Sequence, residues 1–197
     1  MEAAKQVTEQ QNERDRTVER LNTRVAITVA ILATFMGICK VKDDNIVQAM
    51  QQAQANKIDH WAFYQARNLR QELAEATAVQ LKLAAANASP GAKGKYEEAI
   101  AHYQALAKEQ NKKKEEIKSQ ADQDQSDYDA SNFRDDQFDL SDALLAIAIS
   151  LLAVTSLTRK SWLYLIALVP TSLGILMGSA GLLGWSIHPT ALIKLLS

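Results

Sequence analysis

Helix breakers are almost missing from most of this 197-residue chain, and that limits what it can fold into. Gly37 is the only Gly or Pro before Pro90, and none occurs between Lys95 and Val169. Two very long helical stretches are therefore predicted, broken at Ser89-Pro90-Gly91-Ala92-Lys93-Gly94. Three apolar runs are embedded in them: Val25 to Val41, Leu140 to Leu157 and Leu163 to Leu183. Each is close to the ~17 to 25 residues that cross a bilayer. The expected fold is an all-α integral membrane protein with three transmembrane helices and a long extramembrane antiparallel helical hairpin, coiled-coil-like in its packing. Its expected divisions are a polar cytoplasmic helix or tail (1–24), a span (25–41), the hairpin (42–139, turning at 89–94), two further spans (140–158 and 162–185) and a short tail (186–197).

Averaged over the whole chain, hydropathy hides this pattern, because a polar insert dilutes the apolar runs. Residues 43–139 carry twelve basic and seventeen acidic groups. A modestly acidic insert argues against nucleic-acid binding, which needs a basic surface. The single basic run, Lys112-Lys113-Lys114, is followed directly by Glu115-Glu116 and reads as a solvated face. The one cysteine, Cys39, excludes an intramolecular disulfide and a thiolate zinc cluster. Ile38 precedes it where a lipoprotein signal wants a small residue, and no small-x-small cleavage pattern follows, so the first run reads as an uncleaved signal anchor.

Small residues line one face of two spans: Ala26, Ala30, Ala33 and Gly37 in the first, and Gly174, Gly178 and Gly181 in the third. Such faces let helix backbones approach closely in lipid, within one chain or between copies. Trp162 and Tyr164 at one end of the third span and Trp185 at the other are placed as interface anchors. No ionisable residue lies well inside any span, which counts against a pump or coupled transporter. Arg14, Arg16, Arg20 and Arg24 precede the first span and Arg159-Lys160 join the second to the third, so both regions are expected inside and the hairpin outside the cytoplasm. Lys40 and Lys42 dissent from that assignment.

Within the insert, Val47, Met50, Ile58, Trp61, Ala62, Ala66, Leu69, Leu73, Ala76 and Leu83 recur at helical steps and are expected to pack against the return arm. Tyr96, Ile100, Tyr103, Ala107, Ile117, Ala121 and Tyr128 continue the rhythm on that arm. Each arm of 45 residues would reach on the order of 65 Å. Lys108 to Asp127 offers only Ile117 and Ala121 as apolar anchors, so the stretch is expected either to gain a partner helix, most simply from a second copy, or to fray. Trp61, Phe63 and Tyr64 form the densest aromatic cluster and are read as hairpin or oligomer core.

Catalytic chemistry finds little support. Folding near residue 91 sets His60 opposite Asp122 or Asp124 and keeps His60, His102 and His188 apart, so no histidine metal site is expected. Asp122, Asp124, Asp127 and Asp129 fail the calcium-loop pattern, which wants Gly at its sixth place and Glu at its twelfth. No phosphate loop, dinucleotide signature, nucleophile elbow or metalloprotease motif occurs. No catalytic residue, metal or cofactor is expected.

Asp59-His60-Trp61-Ala62-Phe63-Tyr64-Gln65-Ala66-Arg67 resembles the D-Q-W-A-Y-Y-Q-A-K segment of an uncharacterised family of bacterial membrane proteins, Domain of Unknown Function 4337, departing from it at His60, Phe63 and Arg67. Arg24-Val25-Ala26-Ile27-Thr28, Phe138-Asp139-Leu140 and Arg159-Lys160 are also similar to family features. The resemblance implies a bacterial inner membrane and three spans, and implies no activity. The resulting expectation is a non-enzymatic, homo-oligomeric inner-membrane protein that contacts lipid and presents its hairpin as a scaffold. The alternatives are a channel or transporter subunit, with Thr28, Thr34, Ser150 and Thr155 lining a pore between protomers, and an adaptor of another membrane protein.

Overall fold

The computed structural model describes residues 1–187, with side chains described at Met1 and from Gln11 onward. The chain is all-helical over these residues: α1 (Glu2–Ala86), α2 (Pro90–Thr158) and α3 (Ser161–Leu183). Each contains a stretch long and apolar enough to cross a membrane. The polar residues 1–24 are not a separate element, since α1 begins at Glu2 and continues through the first apolar run into the insert. With no Pro and only Gly37 on the way, nothing removes a backbone donor along that path. The break also lies earlier than the 89–94 expected. Asn87 and Ala88 turn back onto the carbonyls of Ala84 and Ala85, and Pro90 opens α2. Proline suits the first helical position because its missing N–H has no partner there, while Gly91 and Gly94 cost only propensity inside the new helix.

The chain divides into two compact units. The first comprises Met1–Gln48 and the chain from Ser131 onward. Its core is Val25, Leu32, Leu145, Ala148, Leu152 and Ala167, with Leu145 and Leu152 fully buried. Polar contacts run between all three helices. Ser156 Oγ bonds Asn22 Oδ1 at 3.2 Å, the hydroxyls of Thr28 and Tyr164 meet at 3.0 Å, and Ser141 Oγ donates to the Gly174 carbonyl at 2.8 Å. The turn between α2 and α3 needs only Arg159, held at φ 57°, and an extended Lys160. Such a short connection makes the two helices neighbours. Gly184, at φ 71°, ends α3 in the left-handed conformation that glycine adopts without strain, and the Trp185 N–H returns to the Ala180 carbonyl.

The second unit is Ala49–Ala130. Side-chain contacts pair Lys57 with Gln125, His60 with Asp124, Asn68 with Lys114 and Arg67 with Gln110. Lys57 and His60 on α1 meet Gln125 and Asp124, whereas Arg67 and Asn68, further along α1, meet the earlier α2 residues Gln110 and Lys114. Among the α1 residues turned inward, Met50, Ala53, Lys57, His60, Tyr64, Arg67, Gln71, Ala74, Ala78, Leu81 and Ala85 follow a strict alternation of three and four steps, with Asn56, Trp61, Asn68 and Thr77 half-buried beside them. Those of α2 are Tyr96, Ile100, Tyr103, Ala107, Gln110, Lys114, Ile117, Ala121, Asp124 and Tyr128, in the same alternation. Both are heptad seams.

This seam corrects the stripe expected from the sequence. Ile58, Leu69, Leu73 and Leu83 lie on the outside of α1, each more than 60% exposed, while Ala53, Ala74 and Ala78 are buried. Alanine wins the inner face because it permits close approach, and Lys57, His60 and Arg67 find hydrogen-bond partners across the seam, whereas Gln71 donates only to Glu75 on its own helix and keeps its Oε1 buried without a partner.

Candidate functional site

The glycines of α3 do bring helices together, and they do so inside one chain. A Cβ added at Gly174 would stand 2.8 Å from Leu145 Cδ2, one at Gly178 would stand 2.7 Å from Phe35 Cε1 and from Ser141 Oγ, and one at Gly181 would stand 2.8 Å from the Phe138 ring. All three face helix neighbours closer than any side chain tolerates. The first-span face behaves differently. Ala26, Ala30, Ala33 and Gly37 are exposed, and nothing lies within 4 Å of the position a Gly37 Cβ would take. Among the described residues, that face has no partner.

Two residues the sequence reading passed over close the end of α3. Arg134 donates from Nη2 to the Gly181 carbonyl at 2.9 Å, and Gln137 Nε2 donates to the carbonyls of Trp185 (2.8 Å) and Ile187 (2.6 Å). A cation and an amide donor at a helix C-terminus satisfy carbonyls that have no partner within the helix. The only trace of this in the sequence is a single Arg and a single Gln set among aspartates, and nothing local says where they reach.

Of the expected anchors, Trp162 and Trp185 are about half exposed, whereas Tyr164 packs beside the core and spends its hydroxyl on Thr28. Within the aromatic cluster, Trp61 and Tyr64 meet edge-on with ring centres 5.2 Å apart. Tyr64 belongs to the inner seam, with Lys114 Nζ 5.9 Å from its ring centre, while Phe63 points outward, 60% exposed. The cluster is thus divided between two faces of α1.

The residues suggested as a pore lining are not gathered on one surface. Thr155 is fully buried, and Thr34, Ser150 and Thr155 each bond a carbonyl of their own helix. His60 does meet Asp124, Nδ1 to Oδ2 at 2.6 Å, as the fold-back register requires. His188 lies outside the described residues. Among the described residues, no group of three or more His, Cys, Asp or Glu is placed to hold a metal ion.

In the second unit, the outer face of α1 is apolar and unpartnered among the described residues. Ile58, Leu69, Leu73, Val79 and Leu83 are 54 to 67% exposed, and at 100° per residue they fall within an arc of about 120°. Ala62, Ala66, Leu69, Leu73, Ala76, Gln80 and Leu83 form a second alternation of four and three steps there. The outer side of α2, from Gln104 to Gln120, is polar instead.

Residues 21–184 match the model of a family described as a domain of unknown function, DUF4337. No curated protein and no solved structure matches the chain.

Proposed function

The chain belongs to this family, DUF4337, and on that footing we propose that it is a non-enzymatic membrane protein that self-assembles and holds a helical hairpin clear of the lipid as a scaffold or interaction surface. Its setting is a bacterial inner membrane, with the N-terminus and the Arg159-Lys160 turn in the cytoplasm and the hairpin in the periplasm. The arginines before the first span and the basic turn support that orientation.

The observation that carries the reading is the apolar outer face of α1, which lies in a segment too rich in charge to sit in lipid. Leucines more than 60% exposed in water are normally covered by a partner. A second copy suits this face because copies inserted the same way in one membrane run their α1 helices parallel. In a parallel pair the residues flanking the seam would be Ile58 beside Phe63, Gln65 beside Arg70, Glu72 beside Thr77 and Val79 beside Ala84 of the second copy. No like charges meet. The exposed Ala26-Ala30-Ala33-Gly37 face offers the corresponding contact in the first span.

Leu69→Gln combined with Leu73→Gln is expected to lower the oligomer mass measured by light scattering in mild detergent, with helix content and melting unchanged because neither side chain is in the inner seam. A wild-type protein that is a monodisperse monomer at all concentrations removes the proposal. Orientation is tested separately. In a Cys39→Ala background, Lys93→Cys should react with an impermeant maleimide from the periplasmic side, and Ser161→Cys only after permeabilisation. The reverse pattern would invert the assignment.

A further inference from the structure

Outside the apolar runs of the first unit lies a group of carboxylates that self-assembly does not use. Asp43 on α1 is 5% exposed, a degree of burial that aspartate reaches only with partners. Its Oδ2 accepts from Lys40 Nζ at 2.8 Å, while its Oδ1 is buried and receives no hydrogen bond from any amide, hydroxyl or ammonium group. What stands within hydrogen-bond reach of Asp43 is a second carboxyl, that of Asp135 on α2. Two carboxylates cannot hydrogen-bond each other, but a carboxyl and a carboxylate can.

We propose that Asp43 and Asp135 bind one proton between them, forming a proton-operated clasp between α1 and α2 just beyond the apolar runs. Asp135 holds the proton and donates it to the Asp43 carboxylate. Loss of the proton leaves two adjacent negative charges, and the clasp opens.

The surroundings favour a proton over the alternatives. On α1 the titratable and charged groups at this level are Cys39, Lys40, Lys42, Asp43 and Asp44; on α2 they are Arg134, Asp135, Asp136, Asp139 and Asp142; α3 contributes none, having no Asp, Glu, Lys, Arg or His. Lys40 is engaged with Asp43 and Asp44, and Arg134 is turned to the Gly181 carbonyl, so Asp135 gains no cation of its own from these contacts. A metal ion would need three or more ligands converging, and among the described residues no such group exists. Burial first, then the Asp43 carboxylate, then Asp139 and Asp136 push the Asp135 carboxyl up to about 6. Burial and Asp43 raise Asp139 as well, against the pull of Lys40.

The sign follows from linkage. The folded chain keeps the Asp135 proton up to about pH 6, whereas an unfolded aspartate releases it near its ordinary value of 3.8. The stabilisation is therefore complete below about pH 4 and is lost as pH rises through about 6. Because Asp135 is only partly buried, solvent screening reduces the effect to on the order of tenfold in the unfolding equilibrium constant.

The test uses the full chain in a zwitterionic detergent or nanodisc, read by infrared spectroscopy at pH 5.5, where ordinary carboxyls are ionised. A protonated-carboxyl C=O band is expected, lost by pH 7.5 and missing in Asp135→Asn. In the same samples, wild-type melting temperature should fall as pH rises from 5 to 7.5. Asp135→Asn, whose amide donates permanently to Asp43, should stay flat at the higher value. If Asp135→Asn fails to fold, Asp43→Asn serves: without the Asp43 charge, Asp135 should lose its proton, and the band, at lower pH than in the wild type. Absence of the band at pH 5.5 in the wild type, its persistence in Asp135→Asn, or an unchanged pH of loss in Asp43→Asn, overturns the proposal. Neither readout depends on how many copies associate, so this inference and the self-assembly reading fail separately. In the proposed orientation, the clasp would respond to periplasmic pH.

Discussion

Gly178→Leu is expected to prevent the three helices of the first unit from closing, seen as loss of a monodisperse peak in detergent and of a cooperative thermal transition. Even the first added carbon would sit 2.7 Å from Phe35 Cε1 on α1 and from Ser141 Oγ on α2. Ser141 is 1% exposed and spends its hydroxyl on the Gly174 carbonyl, so it cannot move aside without breaking that bond. Overpacking of a tight core costs ~1 to 3 kcal/mol for a methylene or two, and leucine brings four carbons between two helices at once, so about 3 kcal/mol or more is expected. Gly37→Leu is the control. No described residue occupies the space beside Gly37, so that variant should fold normally and change only the association between copies. If Gly178→Leu melted like the wild type and altered only the oligomer, α3 would pack between chains and the three-helix unit described above would be wrong.

Leu145→Ala is expected to lower stability by about 2 kcal/mol, near the low end for a buried leucine, because lipid already solvates apolar carbon and what is lost is mainly packing. Leu145 is fully buried, and its Cγ and Cδ2 occupy the space a Gly174 Cβ would enter. The two positions should therefore couple. Gly174→Ala alone should destabilise by crowding Leu145, yet in the Leu145→Ala background the same methyl enters vacated space and should recover part of the loss. A double-mutant cycle in unfolding free energy reads this directly, with an interaction of about 1 kcal/mol or more expected. Strict additivity would mean that the two residues do not touch.

The helices themselves were legible from local chemistry alone. A chain with no Pro and one Gly before Pro90 has nothing to stop α1, and Arg159-Lys160 lies between two apolar runs with no room for a longer connection. The pairing of His60 with Asp124 was legible as well, because a single fold-back point fixes the register of everything on either side of it. Hydrophobic spacing revealed the inward face of α2, where Tyr96, Ile100, Tyr103, Ala107, Ile117, Ala121 and Tyr128 all lie in the seam, but not that of α1. On α1, the stripe of Leu69, Leu73 and Leu83 and the stripe of Ala74, Ala78 and Leu81 have the same helical period, and apolar size alone favoured the wrong one. Only the tertiary structure decided between them. The choice depends on how closely α2 can approach, and on whether Arg67 finds Gln110 and Lys57 finds Gln125 far along the chain. The glycines of α3 follow the same logic. Their spacing requires a helix in close contact, but any helix meets that requirement, and Phe35, Ser141 and Leu145 take the place only once the three helices have been brought together.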